Sequence, residues 1–309
     1  MPAGQRDLAV GAAAGMLAWL GMAGWALLGV SLAGFGAGAT PAALALAVGG
    51  EVGVSQDVGP AQLTGSISVV PLGVSLVGAV VLAVALTTWQ RVAGAAVAFG
   101  IGLVMLLFLP AGELAVRGWS TVLGGVVWFA VVVGLRVAMW WVPRVRAVIT
   151  VLLGAAAVAT VAGAVTAVAG GARVLGTMVL AAPNLLCVAL TRGLGVPWEV
   201  LGPDLPLPTV DTGAWGPMAA PVWPLAAIAA VVVVLVAVVV GWHAPWVTAV
   251  GFAAMAGLGG AAVELRAGFF AIDIGVGGDV LVAAGVGLAA GAVASLIVGA
   301  GRYWHRRSA

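Results

Sequence analysis

The chain has 309 residues, of which 63% are hydrophobic and only 7% are charged, and its mean hydropathy is +1.23. A water-soluble domain carries roughly a quarter charged residues. This composition therefore excludes an ordinary soluble protein and predicts an integral membrane protein. The basic residues are twelve arginines that lie between apolar runs, which indicates membrane orientation rather than nucleic-acid binding. The lipid bilayer is the expected partner, and no nucleic acid is expected.

Uncharged runs, taken in chain order, predict eight membrane-spanning helices, because one crossing needs about 20 apolar residues. The runs cover residues 8–34, 67–86, 92–109, 119–135, 147–170, 222–241, 246–263 and 280–299. The first run is about twice as long as the apolar core of a cleavable signal, which has roughly 7–15 residues, and is expected to be a membrane helix. The predicted fold class is an all-α, polytopic transmembrane bundle, and residues 1–309 are expected to form a single integral membrane domain.

A ninth apolar run, 174–190, is interrupted by Pro183 and Asn184. Proline removes a backbone donor and clashes with the preceding turn, so this run either crosses once or enters and returns. The positive-inside rule separates the alternatives. If the run re-enters, eight arginines face the cytoplasm and four face outward; if it crosses, the split is seven to five. The favoured topology has eight crossings, one broken, re-entrant segment and both termini in the cytoplasm, in the plasma membrane.

Three longer connections fall on the predicted outer side, at residues 35–66, 193–221 and 264–279. Residues 42–48 are apolar but too short to cross, and 64–70 alternate like a strand, so small extended elements or a short helix are expected on the bundle. The proline-rich stretch 193–208 is expected to cap the bundle, with too few N–H donors for a regular sheet and a binding lid as the alternative. The candidate outer-loop residues are Glu51, Trp198, Asp273 and Asp279.

An internal echo links two of these connections. Residues 48–52 read VGGEV and residues 276–280 read VGGDV. Each copy predicts a glycine turn that leads into an extended or helical segment, and a common structural role of the two copies is left open.

The eight predicted spans contain no Asp, Glu, Lys or Arg. Ionisable groups within a membrane are costly and mark proton-coupled transport or catalysis, so an enzyme is not expected. His243 and His305 lack the spacing of a zinc site, and Cys187 is the single cysteine, so neither a metal nor another cofactor is expected. The Gly11/Gly15 and Gly287/Gly291 pairs match the close-packing GxxxG pattern, and packing within the chain is favoured over dimerisation.

Pro183 and Asn184 form the candidate broken-helix site. A broken helix exposes backbone groups at membrane depth, which is tolerated only beside protein or a water-filled cavity, and transporter sites are often built in this way. The alternative is a kink in which the Asn184 side chain caps the second half-helix.

Four strings carry a resemblance that extends over most of the chain. They lie at 68–74 (SVVPLGV), 183–185 (PNL), 193–198 (GLGVPW) and 268–273 (GFFAID). Together they resemble the streptophobe family of very hydrophobic actinobacterial membrane proteins, and the Pro-Leu-Gly and Pro-Asn positions are more weakly similar to PerM-like cell-division membrane proteins. The resemblance implies a polytopic fold in the plasma membrane and supplies no catalytic residues.

The leading hypothesis is a non-enzymatic, envelope-associated scaffold that acts through helix packing and its outer loops, with other membrane or envelope proteins as partners. The alternative is a permease for a small uncharged or lipid-like molecule, which would use a cavity at Pro183 and Asn184. A cavity at this point would favour the permease, and solid packing would favour the scaffold. The oligomeric state is left open.

Overall fold

The computed structural model describes residues 2–58, 61–202, 222–267 and 270–308. The chain divides into two compact units. Unit 1 comprises Met1–Trp141, Thr160–Ala182 and Ala261–Asp273, and unit 2 comprises Val142–Ala159, Pro183–Gly260 and Ile274–Ala309.

Helices dominate the described residues. They are α1 (Ala3–Ala33), α2 (Thr40–Ala47), α3 (Leu72–Ala85), α4 (Trp89–Leu106), α5 (Gly118–Trp141), α6 (Pro143–Ala169), α7 (Ala172–Gly193), α8 (Val222–Val240), α9 (Ala244–Leu258) and α10 (Val280–Ser308). Seven helical segments among the described residues are long and apolar enough to cross a membrane, with α8 and α9 counted as one segment. This confirms the predicted helical class of long apolar helices.

The strands are β1 (Val52–Val58), β2 (Ala61–Val69), β3 (Leu114–Val116), β4 (Trp198–Leu201), β5 (Ala261–Ala267) and β6 (Phe270–Gly278). In unit 1 the strand order is β3-β1-β2-β5, followed by the beginning of β6. Strand β2 pairs antiparallel with β1, with Ile67 opposite Val52, and antiparallel with β5, with Val69 opposite Ala261. The strand character predicted at 64–70 is confirmed by β2, and of the predicted hairpin or short helix both form, since residues 42–47 lie in α2 and β1 pairs with β2.

In unit 1, helix α1 packs against both α4 and α3. A Cβ atom at Gly11 would overlap the backbone of Arg91, and one at Gly15 would lie 2.8 Å from the Ala95 carbonyl oxygen, so α1 and α4 run parallel at close range. The first predicted GxxxG pair therefore packs within the chain. Helix α3 lies antiparallel on another side of α1, with Gly78 against Met22.

Unit 2 is centred on α8, α9 and α10. A 3-10 turn, Gly241–His243, joins α8 to α9, and Gly241 adopts a φ of 59°, which a residue with a side chain rarely does. Gly287 and Gly291 of α10 both face Thr248 of α9, so these helices run antiparallel at close range and the second GxxxG pair also packs within the chain. The Thr248 hydroxyl donates to the Gly287 carbonyl, 2.6 Å away.

The prediction that residues 193–208 contain no regular sheet was wrong for β4, which lies in unit 2. Trp198–Leu201 pairs antiparallel with the end of β6, from Gly278 to Gly275. A regular pairing forms because these four residues contain no proline, while Pro197 precedes them. The rest of the predicted cap, 203–208, lies outside the described residues.

Two predicted span boundaries were wrong for one physical reason. Run 67–86 starts inside β2, and its helix begins only at Leu72; run 246–263 ends in β5, because α9 stops at Leu258. Counting uncharged residues cannot tell an apolar strand from an apolar helix. Pairing between β2 and β5 supplies the backbone hydrogen bonds that these residues would otherwise make in helices.

The two glycine motifs lead into different elements, one extended and one helical. Gly49 follows α2 with a φ of 83° and leads into β1. Gly277 and Gly278 instead close β6, and α10 follows at Val280. The first motif connects a helix to the strand that follows it, and the second connects a strand to the helix that follows it.

Candidate functional site

The predicted break at Pro183 is absent, because α7 is one helix of 22 residues with Pro183 inside it. The prediction of two half-helices was therefore wrong. Proline leaves one carbonyl of its own helix without an intrahelical donor, and a helix tolerates this loss when another group supplies the missing donor.

That donor is a tryptophan of unit 1. In a regular helix, the N–H of residue 183 would bond to the carbonyl of Val179, four residues earlier. Because Pro183 has no N–H, the Val179 carbonyl accepts instead from the Trp25 indole N–H of α1, at 2.9 Å. The carbonyl that Pro183 leaves unpaired thus binds the Trp25 indole and joins α7 to α1.

Asn184 is buried within unit 2, with 7% of its surface exposed. Its side-chain Nδ2 donates to the carbonyl oxygen of Leu258, the last residue of α9, at 3.3 Å. The predicted cap on a second half-helix is thus replaced by a contact that satisfies the end of a neighbouring helix. Asn184 is therefore largely closed to solvent and joins α7 to the end of α9.

In both units α7 lies beside the ends of other helices. In unit 1, a Cβ at Gly176 would overlap Ala33, the last residue of α1, and Gly73 at the beginning of α3 lies against Val179. In unit 2, a Cβ at Gly193 would overlap Leu225 near the start of α8. The end of α9 lies there too, since Gly259 faces Cys187. Helix α7 also has the largest buried share of the candidate spans, 44% of its most apolar window.

Glu51 and Asp279 both stabilise local structure. The Glu51 carboxylate pairs with Arg117 at 2.9 Å, and the Arg117 N–H donates to the Glu51 carbonyl, so the residues hold β1 against the chain entering α5. Asp279 caps α10, because its Oδ1 accepts from the N–H groups of Leu281 at 2.9 Å and Val282 at 3.0 Å.

Trp198 is the best anchored of the predicted outer-loop residues. Its indole N–H donates to the Thr191 hydroxyl at 2.9 Å, and its ring would lie 2.9 Å from Cβ atoms at Gly259 and Gly278. The Asp279 N–H donates to the Pro197 carbonyl, so Trp198 and Asp279 lie together. Asp273 is exposed on β6, within unit 1.

Sequence reasoning missed the tryptophans in the middle of the spans. Trp19 stacks on Phe99 with ring centroids 4.9 Å apart, and Phe99 also stacks on Trp128 at 5.3 Å. Trp25 has the role described above. A tryptophan in the middle of an apolar run, rather than at a predicted membrane edge, could have indicated a packing role for these residues.

Comparison with known proteins gives no family for this chain, since neither a family model, nor a curated protein, nor a solved structure matches it. Among the described residues, no group of three His, Cys, Asp or Glu side chains could hold a metal ion.

Proposed function

We propose that the chain is a multi-pass plasma-membrane protein with eight crossings, and that it acts as a non-enzymatic scaffold through the strands on its outer face. Helix α7 is the non-crossing segment of this topology and lies along the outer boundary. Both termini are cytoplasmic.

One observation carries the topology: strand β2 pairs with β5 over seven residue pairs. Strand β2 lies between α1 and α3 in the chain, whereas β5 lies between α9 and α10. Strand edges do not occur in the hydrocarbon region, so the two hairpins lie on the same side of the membrane. Strand β3, between α4 and α5, pairs with β1 and belongs on that side too.

The parity of crossings then assigns α7. Helix α5 begins on the strand side, and α9 must end on the same side. An even number of crossings is therefore needed from α5 to α9, and α5, α6, α8 and α9 supply four. A crossing by α7 would make the number odd. The same topology places eight arginines on the cytoplasmic side and four outside, in agreement with the positive-inside rule.

The contacts of α7 favour the scaffold over the permease. The permease needs backbone groups that are free to meet a solute at Pro183 and Asn184, whereas the Val179 carbonyl accepts from Trp25 and the Leu258 carbonyl accepts from Asn184. The strands instead hold an extended backbone on one side of the membrane, where envelope proteins are within reach.

Cysteine accessibility tests the topology. In a Cys187→Ser background, Ala172→Cys and Glu199→Cys place single thiols at exposed positions, one at the first residue of α7 and one after its end. We expect a membrane-impermeant maleimide to label both in intact cells, and to label Gly301→Cys only after lysis. Labelling of just one of the α7 positions in intact cells would show that α7 crosses and would contradict the proposed topology.

Site-specific photocrosslinking tests the scaffold. A benzoylphenylalanine at exposed Ser55 of β1 should crosslink to an envelope protein in native membranes, whereas the same probe at Val250, an exposed apolar position of α9, should meet lipid. No protein adduct at Ser55, together with solute uptake that is lost in Asn184→Ala, would reverse the proposal in favour of a permease.

We also propose membership of the streptophobe family. Three of the four strings that carry the resemblance have residues at α7 or against it: Gly73 beside Val179, Pro183 and Asn184 themselves, and Trp198 after the end of α7.

A further inference from the structure

Unit 2 contains a groove of about 510 Å³ near the C-terminal end of α10. It is open on one side and lies between the 3-10 turn that joins α8 to α9 and the last turns of α10. Its lining includes Gly241, Trp242, Ser295, Leu296, Arg302 and Tyr303.

Hydrogen bonds from α10 to the turn and to the end of α8 hold the groove in shape. Ser295 donates to the carbonyl oxygens of Gly241 at 3.1 Å and Gly291 at 2.8 Å. The Arg302 guanidinium donates to the Val238 carbonyl at 2.8 Å, at the end of α8. This contact satisfies a carbonyl of the last helical turn.

Arg302 gives the groove a positive charge. A guanidinium has five N–H donors, and the contact with Val238 uses one of them. The nearest preceding carboxylate in the sequence is Asp279, which lies about 34 Å away along α10 at the helical rise. The chain has no acidic residue after Asp279, and it continues with Arg306 and Arg307.

The remainder of the lining is suited to the boundary between headgroups and acyl chains. Trp242 is 79% exposed and Tyr303 is 53% exposed, and these amphipathic rings are enriched at that depth. Leu296, one turn and a half before Arg302, is an exposed apolar side chain on the same groove. One surface therefore offers a cation, two interfacial aromatic rings and an apolar strip.

We propose that this groove binds an anionic phospholipid, with the phosphate at Arg302 and an acyl chain along Leu296. The proposal rests on the proposed function insofar as that places α10 in the bilayer with its end on the cytoplasmic side. Basic pockets between helices at the cytoplasmic boundary bind anionic headgroups in this way. The charge complementarity and the adjoining apolar strip select a lipid over a soluble phosphate.

Native mass spectrometry of the full chain tests the proposal. The protein is released from nanodiscs that contain equal parts of phosphatidylcholine and phosphatidylglycerol, and the ratio of the two retained lipids is measured. We expect the wild type to retain phosphatidylglycerol preferentially. Arg302→Gln should lower that preference about fivefold, the factor that corresponds to about 1 kcal/mol for one basic residue at an anionic surface, and Arg302→Lys should largely keep it.

Arg144→Gln is the matched control, because Arg144 is an exposed arginine at the start of α6, outside the groove and on the same proposed side. Equal losses in Arg144→Gln and Arg302→Gln, or no preference in the wild type, would overturn the site. Displacement of phosphatidylglycerol by inorganic phosphate would make it a soluble-anion site instead. Unfolding in phosphatidylcholine alone shows whether Arg302→Gln remains folded, and maleimide labelling of Gly301→Cys reports separately on the proposed topology.

Discussion

The sequence correctly indicated that Pro183 disturbs the hydrogen bonding of its helix, but the prediction that it divides the helix in two was wrong. Its missing N–H leaves the Val179 carbonyl unpaired within α7, and Trp25 donates to that carbonyl from 154 residues away in the chain. The sequence identifies the unsatisfied carbonyl. It cannot identify the donor, because that depends on how α1 packs against α7.

The Trp25–Pro183 pair gives a prediction about coupling. Trp25→Phe keeps most of the ring but leaves the Val179 carbonyl without its donor, and should lower the free energy of unfolding by about 1–3 kcal/mol. Pro183→Ala restores an intrahelical N–H, so Trp25→Phe should cost clearly less in the Pro183→Ala background. Thermal unfolding in detergent measures both. Additive losses would show that the indole bond does not compensate for the proline.

Asp279 gives a second residue-scale prediction. Asp279→Ala removes the acceptor for the Leu281 and Val282 N–H groups and should lower the free energy of unfolding by roughly 0.5–2 kcal/mol. Asp273→Ala, an exposed carboxylate on β6, is the control and should have little effect. Denaturant unfolding followed by circular dichroism measures the difference, and equal effects would contradict the capping role.

At the scale of elements, glycine decides how closely helices approach. The GxxxG pairs of α1 and α10 were visible in the sequence, and both are used for packing within the chain. Their partners were not visible, because any helix with a flat face could have met them. Only the register shows that α1 runs parallel to α4 whereas α10 runs antiparallel to α9.

Two glycines of α10 provide a matched pair. A Cβ at Gly291 would overlap the Thr248 hydroxyl and the Ala244 carbonyl, whereas a Cβ at Gly285 meets nothing within 4 Å. Gly291→Ala should lower the free energy of unfolding by about 1–3 kcal/mol through overpacking. Gly285→Ala should be neutral or raise it by up to about 1 kcal/mol through helix propensity. Thermal unfolding of both variants is the measurement, and a stable Gly291→Ala would disprove the tight contact.

At the scale of the whole molecule, the pairing of β2 with β5 links two connections almost 200 residues apart. Ser66 lies opposite Glu264, and the Ser66 hydroxyl contacts the Glu264 carboxylate at 3.5 Å. In the proposed topology, this pairing places both hairpins on one side of the membrane and sets the parity of the crossings between them.

A disulfide tests this arrangement. In a Cys187→Ser background, Ser66→Cys with Glu264→Cys should crosslink spontaneously in cells, because opposed strand residues have suitable geometry and the proposed topology exposes them to an oxidising compartment. The offset pair Ser66→Cys with Leu265→Cys should crosslink far less, since Leu265 points to the other face of the sheet. Non-reducing electrophoresis after proteolysis between the sites reads the result. Two free thiols in the first pair would refute the shared sheet.

The sequence by itself determined the apolar helical class, the approximate positions of the helices, the helix-packing glycines and the strand character of 64–70. These follow from local composition and periodicity, which act through residues close together in the chain. The tertiary structure alone decided that apolar residues 67–69 and 261–263 form paired strands, that α7 is continuous, and that Asn184 joins α7 to the end of α9. Each of these outcomes depends on a hydrogen-bond partner distant in sequence, and local pattern carries no information about which partner is near.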